Sequence, residues 1–477
     1  MSIFTFKEHD CLCEAEQKEF NEFISLKECP KLHAKTQDVA SVKDVKYLGI
    51  VKDGENLKAH YYIGTSWFIK DKCAFVVKPK VEVDYIKLFM TALELNSENE
   101  AAYFSNYYYI DFEKPAIKTN ALDNVITPLL ILHYISLLKH LVSRGLKKGY
   151  VVREENLQSK IRGQILLRRH LKKNVFAKRE DRVFCRFQEF TEDIPENRIL
   201  KKALSFSVRF INQLPSFKNH LQELTPQLSM IGSVFENVSE EVTIAQVAKV
   251  NADKIFRHYE SAIKVAKLIL RHFDYSIDNA SKKSQDVRPF CIDMPRLYEM
   301  YVLSLLRKAY GDQIKFQVKG SHKTQVDYID VNEQIILDAK YKPRYKKGDV
   351  GITEDVREIS GYARDKKILG ALKWNTVIAD KKGKFLPDCV IVYPVVQVEE
   401  NDNGELSGVV AENACSCKYE FDKNVSIVSQ CDEINAFEGF YKIAIPLPQK
   451  IKAFKSKGIE KKYRTCLMMW SGLDSCK

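Results

Sequence analysis

The stretch Thr324-Gln-Val-Asp-Tyr-Ile-Asp-Val-Asn-Glu-Gln-Ile-Ile-Leu-Asp-Ala-Lys-Tyr-Lys342 holds two runs rich in β-branched and aromatic residues around Asn332-Glu333. That pattern predicts a β-hairpin with a two-residue turn. If Val331 pairs with Gln334, counting outward sets Asp327 opposite Asp338 and Asp330 opposite Ile335. Opposed residues have Cβ atoms about 4.5–5.5 Å apart, near enough for two carboxylates to share one hard cation. Alternation along the strand puts Lys340 on the face of Asp338. An Asp-x-Lys on a strand is often only a solvated face. Here it follows the apolar run Ile335-Ile336-Leu337, where an unpaired charge is costly. Mg²⁺ takes one or two carboxylates plus substrate phosphate, and a lysine beside it can orient or deprotonate a water. The expected chemistry is phosphodiester hydrolysis, with Asp327 and Asp338 as metal ligands and Lys340 as the water-activating residue.

The flanking sequence extends the pattern. Asp293 is a suitable N-cap and Pro295 sits in the first turn of a helix whose apolar stripe is Leu297, Tyr298, Tyr301, Val302 and Leu305. Glu299 lies at the edge of that stripe, where it can reach a metal. Ile314–Val318 reads as a strand, and Thr353–Leu369 as one helix with Val356, Ile359 and Ala363 inward and Glu358 and Tyr362 on another face. Cys389–Tyr393 reads as a further strand.

The chain has 477 residues, enough for several domains, and a net charge of +12 from 75 basic and 63 acidic residues. Basic clusters run from Arg162 to Arg182 and from Lys340 to Lys347; either is a solvated face or a DNA-backbone contact. The 12 cysteines include no Cys-x-x-Cys pair, and the 10 histidines form no His-Glu-x-x-His, which argues against a structural zinc. The first residues lack a signal-peptide core, and the apolar segment Val125–Val142 is interrupted by His133, Lys139 and His140. Both point to a cytoplasmic protein with a buried helix and no membrane span. No Gly-x-x-x-x-Gly-Lys-Ser/Thr loop occurs, so no nucleotide is expected to bind this chain itself.

Strand and helix signals alternate over residues 1–115, with strands at Tyr47–Val51, His60–Gly64, Cys73–Lys78 and Tyr107–Phe112 and a helix at Tyr85–Leu95. Trp67 and Phe68 read as core. Residues 116–285 read as mainly helical, over 122–145, 155–173, 193–215 and 239–274. The fold class is a multidomain α+β or α/β chain: a mixed α/β domain (1–115), a helical middle (116–285), a sheet domain flanked by helices (286–450) and a basic tail (451–477).

The order helix, strand, hairpin, helix, strand with these residues resembles the PD-(D/E)xK nuclease superfamily. Val326 stands where the usual proline would be, and Glu358-x-x-x-Tyr362 where many members have Gln-x-x-x-Tyr. Narrower likenesses are Asp293-Met-x-x-Leu-Tyr-Glu299, Leu337-Asp-Ala-Lys-Tyr-Lys342, Val392-Tyr-Pro394, the Val77-Lys-Pro-Lys80 element, Tyr150–Gly163 and Phe187–Ala203. Together they resemble the McrC family, the nuclease subunits of modification-dependent McrBC restriction systems. The resemblance implies a Mg²⁺-dependent endonuclease, with Mn²⁺ as a substitute. Ala339 would lend a carbonyl to the metal and Glu299 would complete its shell. It also implies double-stranded DNA as substrate and a hexameric AAA+ GTPase partner that recognises modified cytosine, docked on residues 1–115 and the helical middle. Two other readings stay open: a self-sufficient nuclease of repair or recombination, and a non-catalytic DNA-binding activator of an ATPase or GTPase.

Overall fold

The computed structural model describes residues 2–25, 32, 42–54, 56–80, 83–94, 100, 104–118, 125–213, 215–247, 257–279, 286–322, 324–342, 352–374, 385–395, 430–434 and 437–448. Its contacts divide the chain into one unit of residues 1–95, 107–117 and 288–477 and a second of 96–106 and 118–287. The sequence reading put 1–115 and 286–450 in separate domains; the contacts join them. The reason is a strand exchange, described below.

The N-terminal strands are β1 (Ser2–Lys7), β2 (Val51–Asp53), β3 (Asn56–Lys58), β4 (Tyr62–Ile69), β5 (Cys73–Lys78), β6 (Tyr108–Ile110) and β7 (Ile117–Lys118). The inserted unit carries β8 (Gly149–Gln158), β9 (Gln164–Ile165), β10 (Arg182–Thr191) and β11 (Asp286–Val287). The C-terminal part carries β12 (Phe290–Asp293), β13 (Ile314–Lys319), β14 (Gln325–Asp330), β15 (Ile335–Ala339), β16 (Cys389–Val395), β17 (Gln430–Glu433) and β18 (Phe440–Pro446).

In the first unit one sheet runs β1-β5-β4-β12-β6. Strand β12, from the far end of the sequence, lies antiparallel between β4 and β6, with Cys291 opposite both Gly64 and Tyr109. Its centre is apolar because β5 is buried on both faces, Cys73 to Val77 all at 0% exposure. Phe4, Phe6, Phe20, Phe68 and Phe75 pack against one face, and Trp67 is buried too. Gly64 sits at φ +145°, and a Cβ there would stand 2.0 Å from the Phe290 carbonyl oxygen. Gly64→Ala is therefore expected to cost about 3 kcal/mol or more, since the backbone is both strained and blocked. A denaturant melt checks this. Tyr47–Gly49, read as strand, is a 3₁₀ turn with Leu48 at φ 57°, and the strand begins only at Val51.

The second sheet of this unit runs β13-β14-β15-β16-β18-β17. β13, β14 and β15 are antiparallel, β15 pairs parallel with β16, and β16 parallel with β18. A parallel pair needs a crossover, supplied by the helices Ile352–Tyr362 and Lys366–Leu372. Val356, Ile359, Ala363, Ile368 and Leu372 bury against Val326, Ile329, Ile336 and Ile391 of the sheet. The single helix expected over 353–369 is thus two. Asp365 ends the first and starts the second, its carboxylate accepting from Lys367 N, Ile368 N, Ser321 N and Thr324 Oγ1.

The hairpin register is as read: Tyr328 faces Leu337, Ile329 faces Ile336 and Asp330 faces Ile335. Its turn is longer. Strand pairing stops at Asp330 and Ile335, and residues 331–334 form the connection, with Gln334 at φ 56°. Asp330 shapes it: its Oδ1 accepts from Asn332 N and Glu333 N, each at 3.0 Å.

The inserted unit is helical at Ile126–Ser143, Pro195–Gln213, Leu221–Val234 and Arg257–Asn279. Ile126–Ser143, with mean hydropathy 1.4, is the one helix among the described residues long and apolar enough to cross a membrane, and 78% of it is buried in the protein. The helix expected at 155–173 is instead mostly strand and loop, within the sheet β8-β10-β9. The alternation of β8 against β10 decides it. Arg153 opposes Phe187 and pairs with Glu189, while Glu154 opposes Arg186. Only Leu167–His170 and the following Leu171–Val175 turn are helical there.

Candidate active site

The hairpin register, carried one step beyond the Tyr328–Leu337 pair, brings Asp327 beside Asp338, with Ala339 N donating to Asp327 Oδ2 at 2.8 Å. The strand carrying Asp338 is locked on its other side by β16, and Lys340 N extends that pairing to the Val392 carbonyl at 2.9 Å. Asp338 is 2% exposed, and its buried Oδ2 has no aligned hydrogen-bond donor. Lys340 Nζ stands 2.8 Å from that oxygen as a charge contact, and donates at 2.8 Å to Glu358 Oε2. Tyr362 Oη donates to Glu358 Oε1 at 3.2 Å, so Glu358, Tyr362, Lys340 and Asp338 form one chain of contacts. Glu299 is on the Met294–Tyr310 helix, capped by Asp293 as expected, and its carbonyl accepts from Tyr328 Oη at 2.6 Å.

Burial, then the charges of Glu299 and Asp338, hold the Asp327 carboxyl well above the usual carboxylate range. Burial raises Asp338 against the opposing pull of Lys340 and of a hydrogen bond from Asp327. Burial and the charge of Asp293 push Glu299 up to about 8, with Arg296 opposing. Burial works against the charge of Lys340, yet Asp338 and Glu358 together raise it above an ordinary lysine.

Clustered carboxylates that burial and mutual repulsion disfavour as anions, one with an oxygen met only by the Lys340 ammonium, are a donor set whose charge a hard divalent cation would compensate. Among the described residues no three His, Cys, Asp or Glu side chains stand together at metal-ligating spacing. The fit is thus of the two-carboxylate kind, Asp327 with Asp338, and Glu299 is felt electrostatically.

The basic run after the site is partly spent on structure. Lys342 Nζ pairs with the buried Asp355 Oδ1 at 2.6 Å, and Tyr393 Oη donates to Asp355 Oδ2 at 2.8 Å. This clamps the helix that carries Glu358 to the sheet. Arg344, Lys346, Lys347 and the basic tail lie outside the described residues. Of the earlier basic run, Arg162 pairs with Glu189, Arg169 with Glu154 and Arg182 with Asp181.

Sequence reasoning missed Glu8. It extends the parallel β1–β5 pairing, donating its N–H to the Lys78 carbonyl at 2.9 Å, and its Oε2 accepts from Lys80 N at 3.2 Å. Burial pushes Glu8 up to about 7 against the charge of Lys80, and burial lowers Lys80 to about 8 against the charge of Glu8. Tyr341, Tyr85 and Asp293 are the other titratable groups facing this pair. An unfolded glutamate ionises near 4.5, whereas folded Glu8 keeps its proton to about 7. Stability is therefore expected to fall as pH rises through that window, and Glu8→Gln to flatten the fall. Denaturant unfolding at pH 5 and pH 7 measures both.

A family model for the McrBC 5-methylcytosine restriction system component matches residues 57–359. The chain belongs to this family. The matched span takes in Lys80, Glu299, Asp327, Asp338, Lys340 and Glu358. It also takes in Asn197 and Arg198, whose roles are structural. Asn197 Nδ2 donates to the Lys147 and Glu192 carbonyls, and Arg198 makes a two-pronged bond to Asp193. Gly163, from the Tyr150–Gly163 likeness, has φ +67°, and a Cβ there would meet the Arg186 carbonyl at 2.5 Å. Among solved structures, the half-complex from a tetradecameric assembly of Thermococcus gammatolerans McrB AAA+ hexamers with bound McrC is similar at 16% identity and a TM-score of 0.38. That match covers 98% of this chain and 99% of that one. The cryo-EM structure of the Thermococcus gammatolerans McrBC complex is similar at 16% identity and a TM-score of 0.29, covering 65% and 88%. No curated protein matches the chain.

Proposed function

We propose that this chain is the McrC-type nuclease subunit of a 5-methylcytosine-directed restriction system, a Mg²⁺-dependent endonuclease of PD-(D/E)xK type acting on double-stranded DNA in the cytoplasm. The observation that carries the reading is the Asp327–Asp338 pair, the second buried and the first half-buried, with Lys340 beside it, at the end of a parallel strand pair in a family member. Asp327, Asp338 and the Ala339 carbonyl are the groups that would hold Mg²⁺, with Mn²⁺ as a substitute, and Glu299 would add its charge nearby. The cation would supply charge neutralisation at the phosphate and acidify a water. The residues of the chain do the rest. Lys340, beside Asp338 and Glu358, orients the attacking water and offsets developing charge. Glu358 and Tyr362 fix its ammonium.

The sequence lacks a P-loop, so nucleotide hydrolysis belongs to a separate AAA+ GTPase, expected as a hexamer. Exposed Tyr150, Ile161, Leu167, Phe176 and Phe190 of the inserted unit give such a partner apolar surface to cover. The test combines the purified chain, the AAA+ protein, GTP, Mg²⁺ and methylated or unmethylated DNA. Cleavage requiring all components and the methyl group supports the reading. Cleavage by the isolated chain without nucleotide would move it to the self-sufficient nuclease, and GTPase stimulation without cleavage to the non-catalytic activator.

A further inference from the structure

The Val77-Lys-Pro-Lys80 element lies far from Lys340 in sequence, yet its last residue reaches the segment that aims that lysine. Parallel pairing of β1 with β5 ends at Lys7 opposite Lys78, so Glu8 and Lys80 emerge together from one edge of the N-terminal sheet. Lys80 Nζ donates to the Tyr341 carbonyl at 3.1 Å and stands 3.9 Å from the centre of the Tyr341 ring. Tyr341 is 4% exposed, and its hydroxyl approaches Glu8 Oε2 at 3.4 Å. Glu8 Oε2 thus holds the Lys80 backbone amide and adds its charge nearby, while the Lys80 ammonium spends its bond on the Tyr341 carbonyl, one residue past Lys340.

That peptide is where the strand stops. Past Ala339 the chain keeps one sheet bond, from Lys340 N to Val392, and then tightens into a turn with Lys342 N donating to the Lys340 carbonyl at 2.7 Å. The Tyr341 carbonyl points out of that turn, and Lys80 is the group that receives it. A half-buried ammonium is a costly way to fill space, since an apolar side chain of the same volume is often as stable or more so. What the ammonium adds is direction: a charge-assisted bond to one carbonyl.

We propose that Lys80, held by Glu8, is a positioning residue for the nuclease centre, fixing the Tyr341 carbonyl and through it the aim of Lys340. The proposal rests on the nuclease reading above. It makes the N-terminal sheet a brace for the catalytic strand.

The test uses the full chain in the complete cleavage assay, with Asp338→Ala as the inactive reference. Lys80→Met keeps the stem and removes the donor. Misaiming a reacting group by an ångström costs up to about a hundredfold, so kcat is expected to fall about thirtyfold with KM for DNA within about twofold. Lys80→Arg, which restores a donor, should recover most of the loss. Lys80→Met also leaves the buried Glu8 without its opposing charge and loses stability on that account. The double variant Glu8→Gln/Lys80→Met removes both charges and separates the effects. It should melt like wild type yet stay as slow as Lys80→Met, whereas Glu8→Gln alone should cut at near wild-type rate. Wild-type kcat in Lys80→Met or in the double variant, or a loss that arginine does not recover, overturns the proposal. If Asp338→Ala cuts like wild type, the nuclease reading itself has failed.

Discussion

Asp338→Ala is expected to lower Mg²⁺-dependent DNA cleavage by about a thousandfold or more while the protein keeps its fold. Asp338 offers a buried oxygen with no aligned donor, beside a second carboxylate that burial and repulsion keep from ionising. Such a pair costs stability unless a cation compensates it. Two measurements therefore move in opposite directions. In chelator, the alanine variant should melt no lower than wild type, because one unfavourable buried carboxyl is gone and Lys340 keeps Glu358. On adding Mg²⁺, wild type should gain melting temperature and the variant should not. Asp327→Asn should lose both activity and the Mg²⁺ response. Lys340→Ala should lose activity but keep the response, since it removes a donor and leaves the ligands. Asp330→Asn separates the two aspartates of β14. Asp330 is fully buried and spends its oxygens on Asn332 N, Glu333 N and Gln313 Nε2. The variant should lose about 1–2 kcal/mol of stability and no activity. Equal inactivation by Asp327→Asn and Asp330→Asn, or wild-type cutting by Asp338→Ala, would refute the site.

The hairpin was legible because both of its determinants are local. Side-chain alternation has period two, and Asp330 can only pair with Ile335 if Asp327 approaches Asp338. The turn was misread by two residues because its shape depends on the Asp330 carboxylate and on a left-handed Gln334, neither of which strand propensity encodes. The helix at 353–369 broke for a similar reason: Asp365 serves a loop from β13 and a helix start together, a link across more than forty residues. Residues 155–173 carry a periodicity that suits a helix, but the neighbouring Arg153 and Glu154 meet Glu189 and Arg186 across the strand pair, a pairing local periodicity does not encode. What no local pattern reveals is which strands share a sheet. Phe290-Cys-Ile-Asp293 is too short to announce its neighbours, and Glu8 and Lys80 look like surface residues until β1 and β5 are paired in parallel.

That strand exchange fixes the outcome of truncation. A fragment of residues 286–477 keeps every proposed site residue, yet it is expected not to fold. Removing the N-terminal segment strips β12 of both neighbours, β4 and β6. It deprives Asp293 N and Met294 N of the Tyr107 and Tyr61 carbonyls. It also uncovers the Met294–Tyr310 helix, which packs on the Tyr85–Glu94 helix and bonds it through Ser304 Oγ to the Ala92 carbonyl. Phe290, Ile292 and Met294 are each 2% exposed or less. Returning three such side chains to water costs roughly 5–9 kcal/mol, against a total domain stability of about 5–15 kcal/mol. A cut elsewhere should succeed. Asp111 N donates to the Pro289 carbonyl at 2.8 Å and Arg288 Nη1 to the Lys114 carbonyl at 2.8 Å, so the chain leaves and re-enters the first unit at neighbouring points. Replacing residues 118–287 by a glycine-serine linker of about eight residues, up to ~28 Å when extended, can close that gap. The closed unit should melt cooperatively and show the Mg²⁺-dependent stabilisation, while failing to stimulate the GTPase. A cooperative melt from 286–477 alone, or an unfolded linker-closed unit, would show that the exchanged strand does not hold the nuclease sheet together.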